Sequence, residues 1–217
     1  MKSTDVAIHR IVLSDFEENA YIVSLKGSSD CVIVDPGLQP EELIEYLHAQ
    51  SLTPRAILIT HGHWDHIGGV SAVKSKWPDA PIVIGKNERK KLTDPFANLS
   101  APFGFPQTTY DSDKTLEDGE TFEAAGIRFK ALEIPGHSRG HLVYLIEAED
   151  RTFAFCGDVI FSGSIGRTDF PDGDMPTLLN GIFEKIFTLP DDSLLLTGHG
   201  PSTTVIAEKR SNPFLQR

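Results

Sequence analysis

Thr60-His61-Gly62-His63-Trp64-Asp65-His66 follows directly on the apolar run Ala56-Ile57-Leu58-Ile59. Three histidines and one aspartate fall within positions 61–66, an H-x-H-x-D-H spacing. Imidazole nitrogens and carboxylate oxygens suit zinc, iron and manganese. Four donors this close in sequence are too crowded to serve one ion in good geometry. The run therefore reads as two pairs, His61 with His63 and Asp65 with His66, each turned towards one of two adjacent ions. Three more donors follow downstream, each just after another short apolar run. His137 comes after Leu132-Glu133-Ile134, Asp158 after Phe153-Ala154-Phe155, and His199 after Leu194-Leu195-Leu196. Short apolar runs bounded by glycine read as buried strands. The donors are thus expected to converge from the ends of neighbouring strands, on loops held by a rigid scaffold.

On this reading the first ion takes His61, His63, His137 and Asp158. The second takes Asp65, His66, His199 and Asp158, which bridges because a carboxylate has two oxygens. A purely structural metal is disfavoured, since structural zinc sites are usually closed and cysteine-rich and no cysteine belongs to this set. His141, four residues after His137, is either a hydrogen bonder that orients a ligand or a core histidine. His9 and His48 are given no role.

Around these motifs the chain alternates strand-like and helical segments. Ala7 to Gly37 reads as strands with a turn at Lys26-Gly27-Ser28-Ser29. Pro40 to Leu47 reads as an amphipathic helix with proline and acids at its start. Ile67 to Lys74 reads as helical, Pro81 to Gly85 as a strand, and Lys86 to Leu92 as a short polar helix. Asp94 to Tyr110, with three prolines and three phenylalanines, is either a connecting loop or a flap over the site. Strand-like segments recur at Thr121–Ala124, Ile127–Ile134, Leu142–Glu147, Thr152–Cys156 and Ser193–Leu196, and Met175 to Leu189 reads as a helix. Two strand-rich halves, each with helices, imply two sheets packed face to face with helices outside.

The 217 residues suit a single domain spanning 1–217, with 40% hydrophobic and 24% charged residues. A net charge of -11 argues against a nucleic-acid partner, because such binding relies on Lys and Arg contacts to phosphate. No apolar stretch approaches the roughly 20 residues that span a bilayer. The start, Met1-Lys2-Ser3-Thr4-Asp5, is not an apolar signal core. A cytoplasmic protein without a membrane partner is the expectation; the oligomeric state is not legible. Cys31 and Cys156 are expected to be buried small hydrophobes and not a disulfide.

The motifs His61–His66, Pro135-Gly136-His137, Gly157-Asp158-Val159-Ile160-Phe161, Gly163-Ser164-Ile165-Gly166-Arg167-Thr168-Asp169-Phe170 and Gly198-His199-Gly200-Pro201 together resemble the metallo-β-lactamase superfamily. With the tail Asn212-Pro213-Phe214-Leu215, they look most like its glyoxalase II type, the hydroxyacylglutathione hydrolases in their short bacterial form. The resemblance implies an α/β (α+β) fold, a four-layer αβ/βα sandwich with metals at one edge. It also implies two divalent ions, zinc first, with iron or manganese as alternatives. The implied activity is cleavage of a small thioester such as S-D-lactoylglutathione by a metal-bridging hydroxide, with Asp65 and Asp158 positioning the attacking oxygen. Arg167 stands where glyoxalase II enzymes hold the thiol carrier, although it could instead pair with Asp169 or Asp172. Asp35 is implied to buttress the ligand loops, unless Asp35-Pro36-Gly37 is a simple turn.

Some positions depart from that pattern. The chain runs 18 residues past His199, so the helical domain that supplies glutathione contacts in long glyoxalase II enzymes is expected to be absent. Thr168 and Asp169 replace the usual aromatic residue, and Arg139 stands where relatives often have proline. The main rival is a persulfide dioxygenase, which shares the Gly-Arg-Thr-Asp-Phe stretch and uses one iron. A non-catalytic metal-dependent binding module would need only the fold and the ions. A flavodiiron module is disfavoured by His63, a nuclease by the charge. A true β-lactamase is not expected, since a shared fold does not imply a shared activity.

Overall fold

Residues 5–216 are described by a computed structural model. Met1–Thr4, most of the start read above as lacking a signal core, lie outside the described residues, as does Arg217.

Strands β1 (Val6–Leu13), β2 (Glu18–Leu25), β3 (Asp30–Val34), β4 (Thr53–Ile59), β5 (Ile82–Gly85) and β6 (Lys114–Leu116) form one six-stranded sheet in chain order. The first three pair antiparallel, and β3 to β6 run parallel. The second six-stranded sheet contains β7 (Thr121–Ala124), β8 (Ile127–Glu133), β9 (Leu142–Glu147), β10 (Thr152–Gly157), β13 (Leu194–Thr197) and β14 (Thr203–Thr204). Its order is β14-β13-β10-β9-β8-β7, with only β10 and β13 parallel. A small hairpin, β11 (Ile160–Phe161) with β12 (Ser164–Ile165), follows Asp158. The helices are α1 (Glu41–Ala49), α2 (Trp64–Ile67), α3 (Val70–Lys76), α4 (Met175–Gly181) and α5 (Val205–Ser211).

Side chains alternate across a strand, and this sorts the apolar residues into layers. Along β4, Ala56 and Leu58 enter the core between the sheets, while Ile57 and Ile59 pack outward with Leu43, Leu47, Val70 and Val73 of α1 and α3. The inner face of the second sheet supplies Phe129, Tyr144 and Phe155. Its outer face packs with Leu178 of α4 and Val205 of α5. The result is an αβ/βα sandwich, with β4 buried on both faces and accordingly a continuous apolar run.

Two tyrosines fix the sheets to one another at the end where the donors emerge. Tyr21 in β2 donates its hydroxyl to Thr197 O at 2.7 Å, and Tyr144 in β9 donates to Ile59 O at 2.9 Å. Each hydroxyl is buried in the interior and satisfied there. The Leu142 N–H donates to Thr60 O at 2.8 Å, joining the second sheet to the loop after β4.

Three local expectations change. Ile67 to Lys74 is not one helix: α2 ends before Gly68-Gly69, and α3 starts afresh at Val70. A Cβ on Gly69 would overlap the backbone oxygen of Gly37, so this junction must stay bare. Lys86 to Leu92 is helical only as a tight 3-10 turn at Arg89–Leu92, with Lys91 buried within it and Glu88 buried just before it. Met175 to Leu189 winds as α4 and then loosens into a π turn at Ile182–Ile186. The sequence reading did not include β6, the β11–β12 hairpin, β14 or α5. Among the described residues no helix is long and apolar enough to cross a membrane.

Candidate metal centre

The C-terminal ends of parallel strands deliver most of the donors. Asp35 follows β3, His61 and His63 follow β4, Asp158 follows β10 and His199 follows β13. His137 comes from the turn between β8 and β9. All seven residues of the sequence-derived donor set come together at this edge.

His61, His63 and His137 form one cluster. His61 Nε2 lies 3.0 Å from His63 Nδ1, and His137 Nε2 lies 3.2 Å and 3.0 Å from those two atoms. A tetrahedral ion with bonds of about 2.0 Å holds its donors about 3.3 Å apart, so the triangle has the size of one face of such a site. The hydrogen bonds at the far sides of the rings set the tautomers. His137 Nδ1 donates to Arg167 O at 2.8 Å. Thr60 Oγ1 gives its proton to Asp35 Oδ2 at 2.7 Å, which leaves it to accept from His61 Nδ1 at 3.2 Å. The Nε2 atoms of His61 and His137 therefore face each other as lone pairs, an arrangement a cation relieves. Burial, with the neighbouring histidines adding to it, holds His61 and His63 well below the ordinary histidine pKa. Burial also lowers His137, against the pull of Asp158. Neutral rings are what a metal needs.

Asp65, His66 and His199 form the second cluster. His199 Nε2 is 3.4 Å from Asp65 Oδ2, and His66 Nε2 is 4.0 Å from the same oxygen. His66 Nδ1 donates to Asp35 Oδ2 at 3.1 Å and His199 Nδ1 to Phe16 O at 3.0 Å, so both Nε2 atoms face inward. Burial works against charge on both rings, yet the carboxylates of Asp158 and Asp65 outweigh it and raise both pKa values.

Asp158 stands between the clusters. Its Oδ1 lies 3.3 Å from His66 Nε2 and 3.8 Å from His199 Nε2, while its Oδ2 lies 3.6 Å from His137 Nε2. His66 Nε2 and Asp158 Oδ1 are buried without a hydrogen-bond partner. Burial acts to raise the Asp158 carboxyl, but His66, followed by His199 and His137, holds it far below the usual carboxylate range. Buried polar atoms normally find partners; inward-facing orphans on a ring of imidazole nitrogens and carboxylates fit divalent cations. Gly198 makes this packing possible, because a Cβ there would overlap Asp158 Oδ1.

The structure places Asp35 beneath both clusters. Its Oδ1 accepts the Thr60 N–H at 2.7 Å and its Oδ2 serves both Thr60 Oγ1 and His66 Nδ1. Its left-handed φ of +49° is a conformation that aspartate tolerates better than most residues. His141 accepts the Asp158 N–H at its Nε2, at 3.1 Å, and its ring stacks on His61. The Arg167 guanidinium pairs through two 2.7 Å bonds with Asp169 and lies 4.3 Å from the Phe170 ring centre. Asp172 takes Lys91 instead. Phe170 in turn meets the rings of His63 and His137 edge-on, which puts Arg167 at the rim of the first cluster. His9 stacks on Tyr46 and His48 lies against Trp77, away from these clusters. Cys31 and Cys156 are buried free thiols, and burial pushes Cys31 up to about 12.

Two neighbours escaped the sequence reading. Glu18 is fully buried, with Oε1 3.7 Å from His66 Nδ1, and burial pushes its carboxyl well above the usual range. Asn19 sends its amide to Thr197 O and Gly200 O, each at 2.9 Å, and its N–H to Gly198 O at 2.7 Å, pinning the His199 loop. Both were hidden inside an apparently ordinary strand. The Asp94–Tyr110 segment is tied down over Trp64: the Trp64 N–H donates to Asn98 O, and Gln107 Nε2 donates to Trp64 O. Phe103 and Phe105 contact Trp64 from this segment and remain exposed beside the site, as does Phe16.

Residues 13–199 match the family model described as the metallo-beta-lactamase superfamily. The chain belongs to the metallo-beta-lactamase superfamily. It is 39% identical over 207 residues to a probable metallo-hydrolase, YqgX, of Bacillus subtilis, covering 95% of this chain and 96% of that protein. It is 36% identical over 211 residues to the hydroxyacylglutathione hydrolase GloC of Haemophilus influenzae, covering 96% and 97%. Among solved structures, BLEG-1 B3 metallo-beta-lactamase matches with a TM-score of 0.92 and 39% identity, over 97% of this chain and all of that one. TTHA1623 in a di-iron-bound form matches with a TM-score of 0.82 and 32% identity, over 95% and 100%. This superfamily member is thus a metal-dependent hydrolase with His and Asp clusters of the kind that hold divalent ions.

Proposed function

We propose that this superfamily member is a dinuclear thioester hydrolase acting on S-D-lactoylglutathione or a similar small thioester. The observation that carries the proposal is the division of the Asp158 oxygens between two separate donor clusters. The similarity to the GloC hydrolase supports a thioester as substrate. In this reading His61, His63, His137 and Asp158 hold one ion, and Asp65, His66, His199 and Asp158 hold the other. Zinc is the proposed metal, and the di-iron form of TTHA1623 keeps iron in view. Bound ions of this kind lower the pKa of water and polarise a carbonyl.

The protein groups then orient the reaction. Asp65 is partly exposed and Asp158 faces both clusters, so their carboxylates can accept hydrogen bonds from the attacking water and fix its approach. Asp35, the Arg167 carbonyl and the Phe16 carbonyl hold the far sides of His66, His137 and His199, so the rings do not turn during turnover. Neither cysteine serves as a nucleophile, because both thiols are buried and burial raises their pKa values. Arg167 is proposed to contact the thiol carrier. Its pair with Asp169 is exposed and so is weak enough for an anionic ligand to displace.

Metal content and paired assays test this function. Two ions per chain and hydrolysis of S-D-lactoylglutathione are expected, with no oxygen uptake on glutathione persulfide. One tightly bound iron, oxygen uptake and no thioester cleavage would move the assignment to a persulfide dioxygenase. The similarity to BLEG-1 favours a second reading, cleavage of a β-lactam amide. Turnover of a chromogenic cephalosporin with an inert thioester would select it.

A further inference from the structure

Behind the three-histidine cluster lies a buried ionic knot built from residues that are not metal donors in the proposed site. Glu88 and Lys91, on the turn after β5, are 0% and 6% exposed. Glu88 Oε2 accepts the N–H of Gly62, which sits between His61 and His63, at 2.9 Å. Glu88 Oε1 accepts the Ser138 hydroxyl at 2.6 Å and the Gly140 N–H at 2.8 Å, both beside His137. Lys91 Nζ lies 3.2 Å from Glu88 Oε2 and 2.7 Å from Asp172 Oδ2, and donates to Ser138 Oγ. The Lys91 stem packs so closely on Gly62 that a Cβ there would overlap it. One carboxylate therefore spans two loops, and one ammonium ties in a third.

We propose that Glu88 and Lys91 are a positioning pair that holds the His61–His63 loop and the His137 loop in register, and so sets the donor triangle of the first metal site. The inference rests on the metal assignment above. A buried ion pair is weak evidence of stabilisation, since desolvation offsets most of its attraction. Its geometric consequence is firmer. The two Glu88 oxygens lock two loops from opposite sheets, and no Asp, Glu or Lys elsewhere among the described residues makes these bonds. Asp35 does comparable work from below, holding Thr60 beside His61 as well as the ring of His66, so Glu88 is the carboxylate that belongs to the first cluster alone.

Glu88→Gln and Lys91→Met in the full chain test the pair. Zinc is titrated against a competing chelator, while histidine-ring NMR reports which rings respond; cobalt absorption gives a second reading of coordination. Supporting carboxylates typically contribute about 10–100-fold in metal affinity. A loss of that size is expected at the His61, His63 and His137 rings, with the His66 and His199 rings binding as in the unaltered protein. Unchanged affinity at the first cluster in a folded variant would overturn the proposal. So would equal weakening of both clusters in proportion to a lowered Tm, the result of a merely structural role. Should Glu88→Gln not fold, Ser138→Ala removes one strut of the same knot, and the same two outcomes decide. If the unaltered chain binds a single ion at the three histidines, the dinuclear reading fails while this inference is still tested there.

Discussion

At the scale of single residues, Asp158 is the most exacting position. Each of its oxygens faces a different cluster, and both neighbouring glycines, Gly157 and Gly198, lie where a side chain would collide with site residues. Asp158→Ala is expected to lose both ions and to lower turnover by more than about 100-fold. Elemental analysis of the purified variant checks the first part, and a variant that keeps two ions and full activity would show the bridge to be misassigned. Acidity should separate the clusters. His66 and His199 have raised pKa values, so a metal at the second cluster must displace protons that bind already above the ordinary histidine value of 6.5. His61 and His63 are lowered and stay neutral below it. As pH falls, the second cluster should therefore release zinc before the first. Chelator competition across a pH series measures this, and release in the opposite order would contradict it. In the metal-free chain the two sets act with opposite signs on stability. Protonated His66 stabilises below 6.5 and loses that effect as pH rises through its raised value. His61 and His63 weaken the fold as pH drops below 6.5, because only the unfolded chain then takes up their protons.

At the scale of elements, the site depends on where strands end and what ties their ends together. The apolar runs before the donors were legible because strands buried on both faces need continuous apolar sequence. The ties were not legible, because they join residues far apart in the chain. Asn19 is the clearest case: it lies 178 residues from Thr197, whose carbonyl it binds. Asn19→Ala removes two amide hydrogen bonds, leaving the Thr197 carbonyl to Tyr21 and the Gly200 carbonyl to Arg10, and is expected to cost about 1–3 kcal/mol. It should also weaken zinc at the His199 cluster. Thermal unfolding together with site-resolved zinc titration checks both, and an unchanged Tm would count against the tie. Lys86 to Leu92 shows the opposite lesson. Its charged residues read as a short polar helix, yet Glu88 and Lys91 are buried because each satisfies the other and the loops around them.

For the whole molecule, the metal centre lies across the seam between the two sheets: His61 and His63 belong to one, and His137, Asp158 and His199 to the other. Ions bound there would link the halves, and any ligand specific to the folded state stabilises it. Free metal at 100 times its Kd contributes about 2.7 kcal/mol per site. Stripping the ions with a chelator is therefore expected to lower Tm by several degrees, reversibly on adding zinc back; scanning calorimetry measures this, and an unmoved Tm would argue against metals at the seam. By itself the sequence determined the proposed donor set, the strands that deliver it and the layered fold, since donor spacing and apolar periodicity are local properties of the chain. Only the tertiary structure decided how Asp158 divides its oxygens, which carboxylate supports which cluster, and that Arg167 pairs with Asp169. Those outcomes depend on distances between loops of opposite sheets, which no local pattern encodes.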